Sequence, residues 1–146
     1  MASAPEDSPG FLLWHATLRR QREVAAALAP LDLTHPQFVL LAGLWYLDGQ
    51  GSRPNQLELA QHTGTDVKTA SQVIRRLETK EFLIRQVDAV DTRMKRLAVT
   101  ERGAVAAVAA IEVVERADAA FFAAAPDRAA VLDVLRPLAR GREGRR

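Results

Sequence analysis

The chain has no cysteine, which excludes a disulfide framework, a thiolate metal site and a cysteine redox switch. Its three histidines, His15, His35 and His62, are not spaced as a metal-binding pair on one helix, so no metal is expected. Paired carboxylates, a nucleophile elbow and a phosphate-cradling glycine loop are also missing, which argues against an enzyme and against a cofactor. No apolar run approaches the roughly 20 residues that a membrane-spanning helix needs, and residues Met1 to Pro9 are small, polar and acidic. These absences predict a soluble, cytoplasmic chain with no membrane partner. At 146 residues it fits a single domain.

Excess charge of one sign is missing too, with a net value of only +2, but the sum conceals the distribution. Between Thr65 and Arg96 eight cationic side chains (Lys68, Arg75, Arg76, Lys80, Arg85, Arg93, Lys95, Arg96) stand against five acidic ones (Asp66, Glu78, Glu81, Asp88, Asp91), a local charge of +3. A local patch of that kind is what phosphate binding requires. The C-terminal arginines, Arg140, Arg142, Arg145 and Arg146, read as a solvated end.

Hydrophobic periodicity divides the chain into helices and one ribbon. Leu12, Trp14, Leu18, Val24, Ala25 and Leu28 recur at helical spacing from Phe11 to about Leu31, closed by Pro30. Thr34 is a helix cap, Pro36 sits where a missing N–H does no harm, and the stretch from Phe38 to Leu47, apolar almost all round, belongs in the centre of the fold. Asn55 with Glu58 has capping-box spacing and opens a short helix that ends at the Thr63-Gly64 turn.

After that turn Thr65 or Asp66 caps a helix whose inner face is Ala70, Val73, Ile74 and Leu77. Its outer face is Lys68, Thr69, Ser71, Gln72, Arg75 and Arg76, all cationic or able to donate and accept hydrogen bonds. Two strands are predicted next, Phe82 to Val87 and Arg96 to Val99, with Asp88, Asp91, Thr92, Arg93 and Lys95 on the loop between them. Thr100 then caps a long alanine-rich helix from Glu101 to Ala124. Such a surface gains most by close packing against another helix, in this chain or a second copy. Beyond Pro126, Val131, Leu132, Leu135 and Leu138 mark a last helix.

This order of elements resembles the MarR family of bacterial winged helix-turn-helix transcription regulators. Asp91, Arg93, Leu97, Val99, Thr100 and Gly103 follow the family's wing pattern, with valine the only replacement, and Leu59-Ala60, Gly64, Thr69 and Leu77-Glu78 match its helix-turn-helix. Glu81 departs from it, standing where the family usually has a glycine. The resemblance implies a mainly α fold with a small β-wing. Residues 34–100 form the winged helix-turn-helix lobe, and residues 1–33 and 101–146 supply the N- and C-terminal dimerisation helices.

The function it implies is a sequence-specific DNA-binding regulator, a repressor that binds a palindromic operator on double-stranded DNA as a homodimer. Lys68, Thr69, Ser71, Gln72, Arg75 and Arg76 would contact the major groove, and Arg93 would enter the minor groove with Asp91 orienting it and Lys95 beside it. A small, often aromatic effector binding between the dimerisation helices and the lobe is implied as well. Trp14, His15, Arg19, Phe38, Trp45 and Tyr46 are the expected lining, although core packing accounts for Trp14, Phe38 and Trp45 equally well. The alternative is a winged-helix dimer that binds a protein partner and no operator.

Overall fold

The computed structural model describes residues 4–141, so the arginines from Arg142 onward lie outside the described residues. Among those described, the order is α1 (Pro9–Leu28), α2 (His35–Gly49), α3 (Gln56–Thr63), α4 (Val67–Thr79), β1 (Leu83–Val87), β2 (Lys95–Val99), α5 (Glu101–Phe122) and α6 (Arg128–Arg140). The two strands pair antiparallel, from Leu83 opposite Val99 to Val87 opposite Lys95. The class is mainly α with a small β-wing.

Short polar side chains cap all six α-helices among the described residues, with Ser8 at α1 and Asp127 at α6. Thr34 and Gln37 exchange side-chain and backbone hydrogen bonds at 3.3 and 3.2 Å, and Asn55 and Glu58 do so at 2.8 and 3.3 Å. The Asp66 carboxylate accepts from Thr69 N–H at 3.0 Å, so Asp66 and not Thr65 is the cap, and Thr100 Oγ1 accepts from Gly103 N–H at 2.9 Å. Each cap contributes about 1 kcal/mol. The α2 helix is central, packed on α1, α3, α4, α5 and β2. Its Leu40, Leu41 and Leu44 are fully buried with Val24, Leu28, Leu59, Ile74, Leu77, Leu83 and Leu97, at about 2 kcal/mol for each large side chain.

Several boundaries differ from the sequence expectation for identifiable reasons. The first helix stops at Leu28 and continues as a 3-10 turn over Ala29–Leu31, because Pro30 has no N–H to extend the α pattern. The first strand starts at Leu83, since Phe82 N–H closes α4 onto the Leu77 carbonyl at 3.0 Å. Lys95 is the first residue of β2 rather than part of the loop. Val73 is only partly buried on α4, and α5 ends at Phe122, short of Ala124.

The outer half of α1 and all of α6 are not core. Leu12 is 50% exposed, Trp14 63% and Leu138 65%, and no residue of α6 is buried. Their amphipathic patterns therefore read a surface that one chain leaves uncovered. Arg20 ties α1 to α5 by a forked pair of bonds to Asp118 at 2.8 and 3.1 Å.

Glu81 adopts the left-handed backbone that a glycine at this position would take, at φ 63°. A side chain there costs about 1–2 kcal/mol, offset only weakly by an exposed ion pair with Arg102 at 3.3 Å. Replacing Glu81 by Gly removes the strain but loosens the unfolded chain by about 0.5–1 kcal/mol. A net gain of up to about 1 kcal/mol is expected in a denaturation curve, and a loss would show that the Glu81 side chain holds the α4–β1 junction.

Candidate nucleic-acid interface

The α3 helix ends on Gly64, which takes the left-handed conformation at φ 68°. That conformation favours glycine, and it turns the chain so that α4 crosses α3 and lies with its inner face on α2. Ala70, Ile74 and Leu77 are buried there, which forces Lys68, Thr69, Gln72, Arg75 and Arg76 outward as exposed residues, with Ser71 half-buried. The 13 residues of α4 span about 20 Å. The Thr69 amide, together with the Thr69 hydroxyl that donates to Asp66 at 3.0 Å, holds the Asp66 carboxyl below the usual carboxylate range.

The structure redistributes the eight cations that the sequence placed in one patch. Lys80 is bonded to the Asp32 carbonyl and lies 3.4 Å from its carboxylate, and Arg85 pairs with Glu78 at 3.4 Å. Arg96 is bound to Glu58 at 2.8 Å and Asp88 at 3.2 Å. Lys68, Arg75, Arg76 and Lys95 form no ion pair among the described residues. Arg93, 93% exposed at the wing tip, has only a loose partner in Asp91 at 3.6 Å. The unneutralised charge therefore lies on the outer face of α4 and on the wing.

The wing tip is ordered from within. The Asp88 carboxylate accepts the backbone N–H groups of Val90 at 3.2 Å and Asp91 at 2.7 Å, and Asp91 accepts from Arg93 N–H at 3.1 Å. The Asp91 amide and the Arg96 guanidinium hold the Asp88 carboxyl below the usual carboxylate range. Asp88 therefore stays ionised into acid below its ordinary titration. The sequence singled out Asp91 and Arg93 but not Asp88 or Arg96, because those two act through contacts that only the folded wing creates.

The six residues expected to line an effector site are spread along α1 and α2. Trp14 and His15 lie on the exposed outer half of α1, where the His15 ring meets Phe11 at a tilt of 51° with ring centres 4.4 Å apart. Arg19 pairs with Glu23 and lies 5.5 Å above the Phe121 ring. Phe38 and Trp45 pack against the core, and Tyr46 stacks on His62 at 5.9 Å. A groove of ≈ 740 Å³ lies between α1, the start of α2 and the start of α4, walled by Ala25, Leu33, His35, Val39, Thr65 and Thr69, and none of the six lines it. The only sequence signal for His35 was its place directly after the Thr34 cap.

Partial burial, with the Arg20 charge nearby and against the smaller pull of Asp118, lowers the His35 pKa from 6.5. The folded state thus binds the proton less readily than the unfolded chain, so stability falls as pH drops through 6.5 and levels off below the folded value. A pH series of melting temperatures is expected to show this decline, and His35→Gln to flatten it; an unchanged slope in the variant would assign the decline to another group.

The arrangement of a reading helix, a basic wing and flanking long helices is matched in known proteins. The MarR family model matches residues 33–95. An uncharacterized HTH-type transcriptional regulator, YdcH of Bacillus subtilis, is 44% identical over 93% of this chain and 92% of its own length. The chain belongs to the MarR family. The 33–95 match runs from just before α2 into β2, so this MarR chain carries the family's signature on its helix-turn-helix and wing.

Two further MarR relatives bear on the site. The HTH-type transcriptional repressor Rv2887 of Mycobacterium tuberculosis is 36% identical over 78% of this chain and 80% of its own. Its solved complex with salicylic acid superposes with a TM-score of 0.70 at 32% identity, over 92% of this chain and 99% of that one. The transcriptional repressor CouR of Rhodococcus jostii, solved on a 23-mer DNA duplex, gives a TM-score of 0.81 at 25% identity, covering 92% and 94%. The MarR chain is thus a winged helix-turn-helix transcriptional regulator, a class that is not enzymatic. No single helix among its described residues is long and apolar enough to cross a membrane.

Proposed function

We propose that this MarR regulator is an operator-binding repressor that acts as a homodimer in the cytoplasm. Residues 34–100 form the DNA-reading lobe, and residues 1–33 and 101–146 form the dimerisation helices. The carrying observation is the outer face of α4, where Lys68, Arg75 and Arg76 stand unpaired among the described residues beside Gln72 and Thr69, on the same lobe as the exposed Arg93. Cations on such a face hold phosphates, while Gln72, Thr69 and Ser71 reach base edges, with Lys95 and the Asp91-braced Arg93 at the flanking minor groove. A protein-binding winged helix has no need of unneutralised cations arranged this way.

Dimerisation is supported by the apolar surface that one chain leaves open, notably Leu12 and Trp14 on α1 and Val134, Leu135 and Leu138 on α6. Two-fold symmetry then sets two reading helices about 10 base pairs apart on an imperfect palindrome. For an effector, the groove beside His35 is the best placed space, since its walls include α1 and Thr69 of the reading helix. A small planar anion there would favour a dimer state whose α4 helices no longer match adjacent grooves. The salicylic acid complex of Rv2887 supports that ligand class. Binding to DNA from upstream of the chain's own gene, titrated at about 50 and about 200 mM salt, is expected to be specific and to fall by about 10³-fold or more; equal binding to unrelated duplex would remove the operator reading.

A further inference from the structure

The guanidinium of Arg96 joins three parts of the reading head that are far apart in sequence. Its Nη1 donates to the Arg53 carbonyl at 3.2 Å, in the segment leading into α3, and to the Glu58 carboxylate at 2.8 Å, in the first turn of α3. Its Nε donates to Asp88 at 3.2 Å, at the root of the wing loop. Asp88 in turn gathers the Val90 and Asp91 amides, and Met94 N–H closes on the Asp91 carbonyl at 3.0 Å. Beside this cluster Leu97 N–H donates to the Pro54 carbonyl at 2.8 Å. The chain from Glu58 through Arg96 to Asp88 is therefore an unbroken polar brace from α3 to the base of the loop that carries Arg93.

A two-stranded ribbon is marginal by itself and takes its direction from what holds it. Arginine suits this place because its planar fork satisfies several acceptors at once, which the point charge of lysine does not. With two carboxylates bound to it, Arg96 has little positive charge left to offer a phosphate. We infer that Arg96 is a positioning residue for DNA recognition: bound to Glu58, Asp88 and the Arg53 carbonyl, it fixes the angle of the wing to the helix-turn-helix and so sets where Arg93 meets the duplex. The inference uses the operator-binding reading for its consequence, while the brace itself is a property of the free protein.

Four variants separate positioning from simple charge. Arg96→Ala and Arg96→Lys are both expected to weaken operator binding about tenfold, as when one charge-assisted hydrogen bond disappears from each half-site. If Arg96 merely held a phosphate, Arg96→Lys would bind almost as well as the native protein. Asp88→Ala removes a negative charge near the DNA and would strengthen binding on a charge-only account; the brace requires it to weaken binding as Arg96→Ala does. In an Arg93→Ala background, Arg96→Ala is expected to cost less than about threefold, because the residue it positions is already gone.

Amide hydrogen exchange on the free native and Arg96→Ala proteins gives a readout that needs no operator. The amides of Asp91, Met94 and Leu97 are expected to exchange faster in the variant while those of α2 and α4 are unchanged. Unaltered exchange in the wing would overturn the inference even where operator binding holds. Faster exchange in a protein that selects no operator would keep the brace and remove the operator reading instead.

Discussion

Gly103→Ala is expected to destabilise the protein by about 3 kcal/mol or more, enough to lower its melting temperature by roughly 10 °C at fixed protein concentration. Helix propensity alone gives the opposite sign, since alanine in place of a helical glycine normally gains about 1 kcal/mol. What reverses it is the seat of α5. Thr100 N–H donates to the Phe82 carbonyl at 3.0 Å and Thr100 Oγ1 to the Glu81 carbonyl at 2.6 Å. The first turn of α5 is thereby drawn down until a Cβ on Gly103 would lie 1.9 Å from the Phe82 carbonyl oxygen. That oxygen belongs to backbone held at both ends, by the close of α4 and the start of β1, and cannot move aside cheaply. Gly10→Ala is the control: its Cβ would meet nothing nearer than Ser8 Oγ at 4.0 Å. A melt showing Gly103→Ala as stable as Gly10→Ala would contradict this packing of α5 on the wing root.

Arg75→Ala combined with Arg76→Ala is expected to abolish most operator affinity, by about a hundredfold or more at moderate salt, with the fold intact. Both side chains lie on the exposed face of α4 and form no ion pair among the described residues, so neither supports the core. Two-fold symmetry multiplies the loss, since the double substitution removes four cations from each dimer. If each holds a phosphate, the slope of log affinity against log salt becomes shallower by about 3 to 4. Circular dichroism and the melting temperature should stay near native values, because exposed substitutions of this kind usually change stability by less than about 0.5 kcal/mol. An unchanged salt slope would mean that the face of α4 is turned away from DNA.

Much of the reading head was legible in the sequence because its determinants are local. Thr34, Asn55, Asp66 and Thr100 cap helices through residues three positions away, and the spacing of Ala70, Ile74 and Leu77 alone decides which side of α4 faces outward. The charges were legible only as a sum. Which of the eight cations are neutralised depends on contacts such as Lys80 with Asp32 and Arg96 with Glu58, whose partners lie 48 and 38 residues away. No short-range pattern encodes such pairs.

The same distinction explains the effector residues. Aromatic character identified Trp14, Phe38 and Trp45, yet aromatics also fill cores and interfaces, and Phe38 and Trp45 are partly buried against the core. The groove beside His35 arises where α1, α2 and α4 meet, so its lining is a property of the packing and not of any one helix. Glu81 is a third case. Glu81 stands where the family usually has a glycine, yet the left-handed turn is retained at φ 63°, where α4 closes and the Glu81 carbonyl accepts from Thr100 Oγ1.

The most direct test of the whole account is selection: the native protein is mixed with sheared genomic DNA at about 150 mM salt, and the retained fragments are sequenced. The expected result is a small set of enriched fragments sharing an imperfect inverted repeat whose half-sites are centred about 10 base pairs apart. Recovery of fragments without a shared motif, or of a single unrepeated half-site, would contradict a two-fold pair of reading helices.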